Sequence, residues 1–235
     1  MLPGRPGSVG RNSELGNRLF VEAVIWKFRS GAPWRDLPER FGGWKNVHTR
    51  FSRWAKKGVW ENLFKALAND PDNEYAMIDA TIVRAHQHSA GAQKNGGGEA
   101  IGRSRGGLTT KIHAIVDALG NPLAIRLTGG QAHDITQAEA LLAEVEPQAL
   151  IADKAYDADG FIDALTIRRI EPVIPPKANR KASRECDFAL YSERHLIERF
   201  FNALKQFRGI ATRHEKTARN FLAVVHLACA LARLK

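Results

Sequence analysis

Three acids and a cluster of cations have the types and spacing for phosphate chemistry. Asp79 lies in MIDATIVRAH and Asp153 in LIADKAYDAD, each in a strand-like pattern followed by hydroxyl or basic residues. Isolated aspartates at strand ends ordinarily cap or turn the chain, so neither marks a site alone. The third acid, Glu198, belongs to a helical stretch over 187–208. At ~100° per residue, Tyr191, Arg194 and Lys205 fall within about 40° of it. Leu190, Leu196, Ile197, Phe200, Leu204 and Phe207 occupy the other side. A surface ion pair between Arg194 and Glu198, worth only ~0.3–0.5 kcal/mol, explains the arginine but leaves Tyr191 and Lys205 as coincidence.

The chemistry these residues could do together requires that Asp79, Asp153 and Glu198 meet in space, and that is the expectation. Crowded carboxylates raise one another's pKa unless a cation compensates them. A divalent ion with oxygen ligands does so, and Mg²⁺ (or Mn²⁺) is the expected occupant. Two such ions ~3.5–4 Å apart activate an attacking hydroxyl and stabilise the leaving oxygen of a phosphodiester. Arg194 and Lys205 would hold backbone phosphates beside them. Other polar residues carry plainer readings. His86, His88 and His113 show no metal-ligand spacing. His133 and Asp134 read as a loop residue and a helix cap, with Asp134 and Gln137 spaced as a capping box. Asp157 and Asp159 read as caps of a helix beginning near Phe161. Cys186 and Cys229 form no CxxC pair, and no GKS/T phosphate loop occurs.

The elements that must position these residues follow from periodicity. The stretches 76–84, 150–152 and 172–174 read as strands, and 111–118 with 122–127 as a hairpin around Gly120-Asn121. Helices are predicted over 134–145, 159–168, 187–208 and 217–234. This describes an α/β mixed sheet flanked by helices. All five tryptophans lie within the first 60 residues, which predicts a separate core there and a linker over 69–73. The expected domains are 1–70 and 71–235. In the first, Ser13 caps a helix that Gly31 and Pro33 end, and a second helix runs over 44–57. Its apolar side carries Trp44, Val47, Phe51 and Trp54. Its polar side carries Lys45, Asn46, Thr49, Arg50, Arg53, Lys56 and Lys57, with no acid among them. A final helix over 60–67 would close a trihelical bundle, and the first helix, its glycine-containing turn and the basic helix over 44–57 read as a helix-turn-helix with a DNA-binding face. An ordinary solvated helix face is the plainer alternative. The glycine-rich stretch 89–107 is too irregular to form an element, and its Lys94, Arg103 and Arg105 are expected to neutralise phosphates.

The chain of 235 residues carries a net charge of +10. Residues 1–70 hold 13 Lys/Arg against 6 Asp/Glu, residues 71–174 hold 9 against 14, and residues 175–235 hold 13 against 5. Basic flanks around an acidic middle suit a polyanionic partner whose phosphates the flanks hold. The longest apolar run, 221–232, is too short for a membrane span of ~20 residues. The opening MLPGRPGSVGR lacks a signal-peptide core, so a cytoplasmic protein is expected, nucleoid-associated if the partner is DNA.

Tyr191, Arg194, Glu198 and Lys205 also spell Y-(2)-R-(3)-E-(6)-K, the signature of bacterial insertion-sequence transposases. With GAPWRDLPERFGGW, IDATIVRAHQH, GRSRGGLTTKIHAIVDALGNP, LTGGQAHD and ADKAYDAD, the chain resembles the IS-five family of DDE transposases over nearly its whole length. The resemblance implies a ribonuclease-H-like catalytic domain with Asp79, Asp153 and Glu198 as its triad. It also implies double-stranded DNA partners (element ends and target), Mg²⁺-dependent cleavage, strand transfer and a homo-oligomer on DNA. Two departures stand out. Ala155 occupies a position where related sequences place glycine, which would be strained if that turn needs a positive φ. Family members also commonly carry a further segment ahead of LPGRPG. A catalytically inactive DNA-binding derivative is the alternative these departures suggest, and a stand-alone nuclease is a third.

Overall fold

The computed structural model describes residues 2–3, 15–68, 70–89, 99–180 and 184–234. Ser13 and Lys94, with the cap and the phosphate contact expected of them, lie outside the described residues.

The sheet is built around one long strand, β1 (Tyr75–Ala85). Along one edge it pairs antiparallel with β3 (Gly107–Asp117), which pairs antiparallel with β4 (Pro122–Gly129). Along its other edge β1 is shared by two short parallel partners. β5 (Ala149–Ile151) covers Tyr75–Met77, and β7 (Thr212–Arg213) covers Arg84–Ala85. β6 (Glu171–Val173) lies outside β5, parallel to it. β2 (Gly102–Ser104) extends the sheet at the start of β3. Thus part of the glycine-rich stretch is an element after all, because a hairpin closes from Ser104 to Gly107.

Alternate residues point to opposite faces of a sheet, so parity assigns each side chain. Ala76, Ile78, Ile115 and Leu150 pack beneath α4 (Ala138–Leu142) and α5 (Asp159–Ile167). Met77, Val83, Ile112, Ala114 and Ile151 face the opposite layer. That layer contains α7 (His195–Lys205) and α9 (Ala218–Ala232), together with all three N-terminal helices. These are α1 (Asn17–Ser30), α2 (Trp44–Lys56) and α3 (Val59–Leu67).

The N-terminal aromatics pack on one another, Trp54 against Phe20 and Trp60, but among the described residues this core is continuous with that beneath the sheet. Trp54, Trp60 and Phe64 belong to the same buried cluster as Met77, Phe221 and Leu227. α9, capped by the Thr217 hydroxyl, is buried on nearly every side because the sheet and the N-terminal helices both cover it. Gly31 ends α1 at φ 73°, and a Cβ there would meet the Arg208 Cβ at 2.9 Å. The link from α1 to α2 spans residues 31–43 and holds two 3₁₀ turns, longer than the three to four residues of a helix-turn-helix. The tight turn lies instead between α2 and α3, at Gly58 with φ 67°.

Two other expectations are revised. The helix over 134–145 forms as a 3₁₀ turn, Asp134–Gln137, followed by α4, without a capping-box hydrogen bond. Asp134 pairs with Lys111 Nζ instead, at 2.8 Å. Asp157 does not cap α5. Its buried carboxylate accepts from Arg180 Nε (2.7 Å), Arg184 and the Lys177 N–H (2.8 Å). Burial opposes the charge, but these donors hold its pKa below the ordinary range.

His226 makes α9 sensitive to acid. It is 6% exposed, and its ring stacks on Phe64 with centroids 5.4 Å apart. Burial pushes its pKa down to about 4, with Glu61 pulling up and Lys65 pushing down. Because the unfolded chain takes up this proton near pH 6.5, the stability is complete above that and is lost as pH falls toward 4. His113, buried and also lowered to about 4, acts in the same direction. His226→Phe is expected to reduce the pH slope of unfolding free energy in this window by up to ~1.4 kcal/mol per pH unit. Urea melts between pH 4 and 7 measure it, and an unchanged slope would clear His226.

Candidate active site

Sheet register brings the two aspartates together. Met77 is paired with Ile151 across the parallel β1–β5 edge. Asp79 and Asp153 each lie two residues further on, so both point to the face occupied by α7. Adjacent strands are ~4.8 Å apart, which makes these carboxylates neighbours. The edge of β1 beyond Met77 is left open because β5 ends at Ile151. Asp153 then turns the chain away, its carboxylate accepting the Ala155 N–H at 2.8 Å. The Asp79 carboxylate accepts the Ala80 N–H at 2.7 Å.

The third carboxylate comes from α7, whose Ile197, Phe200, Phe201 and Leu204 are buried against the sheet. The long helix expected over 187–208 is segmented into α6 (Phe188–Tyr191), a 3₁₀ turn over Ser192–Arg194, and α7. The turn does not disperse the predicted stripe. Arg194 donates from Nη2 to Asp79 Oδ2 at 2.8 Å and from Nη1 to Glu198 Oε1. One guanidinium therefore joins the strand carboxylate to the helix carboxylate, residues far apart in sequence. Both of these Arg194 contacts are internal to the chain. Glu198 remains half-exposed, at 54%, whereas the Asp79 side chain is 14% exposed.

The electrostatics match this burial. Desolvation raises the Asp79 pKa, against the Ala80 N–H and Arg194, and the nearby Asp153 and Asp134 charges add to the rise. Burial also opposes the Arg194 charge, but Asp79, Tyr191 and Glu198 together hold its pKa above the usual value. The Tyr191 phenol is raised first by burial, and it too senses Arg194, Asp153 and Asp79. Tyr191 therefore lies within electrostatic reach of Arg194, Asp153 and Asp79. Lys205 is exposed and lies about 10 Å along α7 from Glu198.

The three carboxylates form an anionic, all-oxygen donor set, the kind hard divalent cations take. Their chemistry suits a divalent metal, but here the Arg194 guanidinium bridges Asp79 and Glu198, and the oxygens of all three carboxylates do not lie within 4.8 Å of one another. Ala155 leaves the turn unstrained, since the positive-φ non-glycine residues among those described are Ala100 and Arg169. That removes one support of the inactive-derivative reading.

A polar group beside the triad is not legible in the sequence. Lys111, His113 and Asp134 come together, His113 on the sheet face opposite to that of Asp79, with His113 Nε2 2.7 Å from the Thr128 hydroxyl. The buried Tyr156 hydroxyl has no hydrogen-bond partner among the described residues. A cavity of about 320 Å³ opens here, lined by Lys111, Gln131, His133, Asp134, Ala155 and Lys177. The signal that could have placed this group is the β1–β3 register, which sets His113 opposite Ala80.

The predicted DNA face is largely exposed. Lys45, Asn46, Thr49, Arg53, Lys56 and Lys57 face outward, as do Arg103 and Arg105 beside the β2–β3 hairpin. Arg50 does not. It donates to the Leu15 carbonyl at 2.7 Å and to Asn17, and its guanidinium lies 4.3 Å from the Phe20 ring centroid. Its role is to join α2 to the start of α1.

A mixed sheet with one aspartate within its central strand, a second just past the neighbouring strand and a helical glutamate on the same side has the ribonuclease-H-like fold of a DDE enzyme. Residues 71–233 match the family described as "Transposase DDE domain", and residues 1–64 match "Putative transposase of IS4/5 family". The chain belongs to the DDE transposases, a divalent-metal-dependent family. The two matches divide where the tryptophans end, although the core is shared across that point. A putative transposase for insertion sequence element IS6501 of Brucella ovis is 45% identical over 131 residues, 54% of this chain and 100% of that protein. The uncharacterized protein y4sN of Sinorhizobium fredii is 50% identical over 88 residues, 37% of this chain and 70% of that one. Among solved structures, a piggyBac transposase synaptic complex with hairpin DNA gives a TM-score of 0.56 at 12% identity. The match covers 96% of this chain and 67% of that one, and it speaks for the fold alone. No helix among the described residues is long and apolar enough to cross a membrane.

Proposed function

We propose that this transposase binds the terminal inverted repeats of an insertion sequence, cleaves at its ends with Mg²⁺, and joins the freed ends to target DNA. The observation that carries this reading is the Arg194 guanidinium joined to both Asp79 and Glu198, with Asp153 brought to the same sheet face by the β1–β5 register. Asp79, Asp153 and Glu198 would hold the metal, which when bound activates the attacking oxygen and stabilises the leaving one. Arg194 keeps Asp79 and Glu198 in register, Tyr191 flanks them, and Lys205 meets phosphate further along the stripe. One site then serves two phosphoryl transfers, with water attacking first and the freed 3′-hydroxyl second. Neither transfer requires a covalent enzyme intermediate. The helices of residues 1–70 supply DNA affinity, residues 71–235 supply the chemistry, and a homo-oligomer would bring two ends together. Mixing the protein with end-sequence duplex and Mg²⁺ is expected to give nicking and joined products. Binding alone would mean an inactive derivative, and cutting without joining would mean a nuclease.

The α2 face is tested by salt dependence. Arg53→Ala with Lys56→Ala removes two outward cations, so the log–log slope of DNA affinity against salt is expected to flatten by roughly two units, at ~0.9 per phosphate contact. Arg50→Ala should lower thermal stability while leaving that slope intact, because its guanidinium serves α1. Gel shifts at several salt concentrations read both. An unchanged slope in the double variant would remove α2 from the interface.

A further inference from the structure

The far end of β1 carries a histidine cluster remote from the carboxylate triad. β7 runs parallel to β1 with Ala85 paired to Arg213, so His86 and His214 are the next residues in register. The His86 N–H donates to the Arg213 carbonyl at 2.9 Å, which fixes the two backbones side by side. Their rings follow, with centroids 4.5 Å apart. The chain then turns back on itself. The Ser89 N–H and hydroxyl both donate to the His86 carbonyl, at 2.8 and 2.6 Å. This turn sets the His88 ring 4.5 Å from that of His86. One ligating nitrogen from each of His86, His88 and His214 lies within 4.8 Å of the others.

We infer that His86, His88 and His214 form a binding site for a borderline divalent transition ion, Zn²⁺ by the character of its donors, with water in the fourth position. Imidazole nitrogens suit Zn²⁺ at ~2.0–2.1 Å, and three of them with one open position make a familiar tetrahedral set. At that bond length, tetrahedral ligands lie ~3.4 Å apart, so small ring rotations bring these nitrogens to convergence. His88 and His214 are exposed and free to make them. Among the described residues, the only hydrogen bond to any of these rings is from the His88 N–H to His86 Nδ1, at 3.2 Å. Metal capture through that nitrogen would replace this long bond. The nearby Lys27 ammonium is buried and paired with Glu215 at 3.8 Å, which offsets its repulsion of a cation.

The site is independent of the triad. His86 lies seven residues along β1 from Asp79, about 23 Å in an extended strand. The two donor sets also prefer different ions, hard Mg²⁺ for carboxylates and Zn²⁺ for imidazoles. A bound ion would clip the end of β1 to the segment that leads into α9.

The test is titration of the full chain with Zn²⁺ in excess Mg²⁺, followed calorimetrically, and with Co²⁺, followed by visible absorption. One equivalent should bind, the Co²⁺ spectrum should show the intense bands of a four-coordinate site, and the melting temperature should rise. His214→Ala and His88→Ala, both at exposed positions, should each weaken binding at least tenfold and abolish the melting shift. Glu198→Gln should leave all three readings unchanged. Retention of the equivalent in His214→Ala, its loss in Glu198→Gln, a thiolate-to-cobalt band from Cys186, or no saturable binding would each overturn the proposal.

Discussion

Glu198→Gln is expected to bind element-end DNA at least as tightly as the unaltered protein while losing metal-dependent nicking and joining. The Glu198 Oε1 atom accepts from Arg194, and a glutamine carbonyl at the same place accepts equally well. The helix and its contact to the guanidinium therefore persist, and the variant differs by one negative charge in the metal cage. Loss of metal-stabilised charge in a phosphoryl-transfer transition state costs about 4 kcal/mol or more, a factor of at least ~10³ in rate. Repulsion of the DNA phosphates falls slightly at the same time. Glu193→Gln is the matched control. It removes the same charge from the 3₁₀ turn before α7, off the stripe that carries the triad glutamate, and should nick within about twofold of the original rate. Single-turnover cleavage of an end-labelled duplex, beside a gel shift, separates the two effects. Wild-type nicking by Glu198→Gln would mean that Asp79, Asp153 and Glu198 are not the metal-binding triad.

Much of this site was legible because it rests on two short periodicities. The two-residue period of a strand sends Asp79 and Asp153 to the face of Met77 and Ile151, and the helical period gathers Tyr191, Arg194 and Glu198 into one stripe. What escaped the sequence depends on contacts between distant segments. A helical wheel places Arg50 beside Arg53 and Lys56, but only the arrival of Leu15 and Asn17 draws its guanidinium inward. Asp157 reads as a cap until the segment carrying Arg180 and Arg184 folds over it. Asp134 has capping-box spacing, yet a lysine on β3 offers it a full charge in place of a backbone N–H. His86 and His88 lack metal-ligand spacing by themselves, and the third ring comes from beyond a strand of two residues that no pattern announces. The tryptophan distribution misled for a related reason. It marks where aromatic rings pack on one another, as Trp54 and Trp60 do with Phe20 and Phe51, but not that the same cluster runs on through Phe64 to α9.

That shared core carries the other large effect. Phe64→Ala, in α3, is expected to lower the stability of the entire chain, including its catalytic half. The Phe64 ring is 1% exposed and lies nearly flat on His226 of α9, at 13° between planes. Nearby, Arg233 at the end of α9 donates to the Leu67 carbonyl at 2.8 Å and to Asp117 of β3 at 3.2 Å, so α3, α9 and the sheet are joined at one corner. Removing a buried phenylalanine costs ~3–5 kcal/mol. For a chain of this size that corresponds to a fall of ~6–20 °C in melting temperature. Because the cluster is continuous, one transition should move as a whole, with ellipticity and nicking activity lost together. By the same reasoning, residues 71–235 alone should not unfold cooperatively, since Phe221, Val224 and Leu227 would lose the helices that cover part of α9. Two independent folding units would behave differently. Phe64→Ala would then produce an early transition that leaves a second one unmoved, and the isolated 71–235 fragment would melt at the temperature of the intact protein. Thermal melts of the variant and of the fragment decide between one core and two.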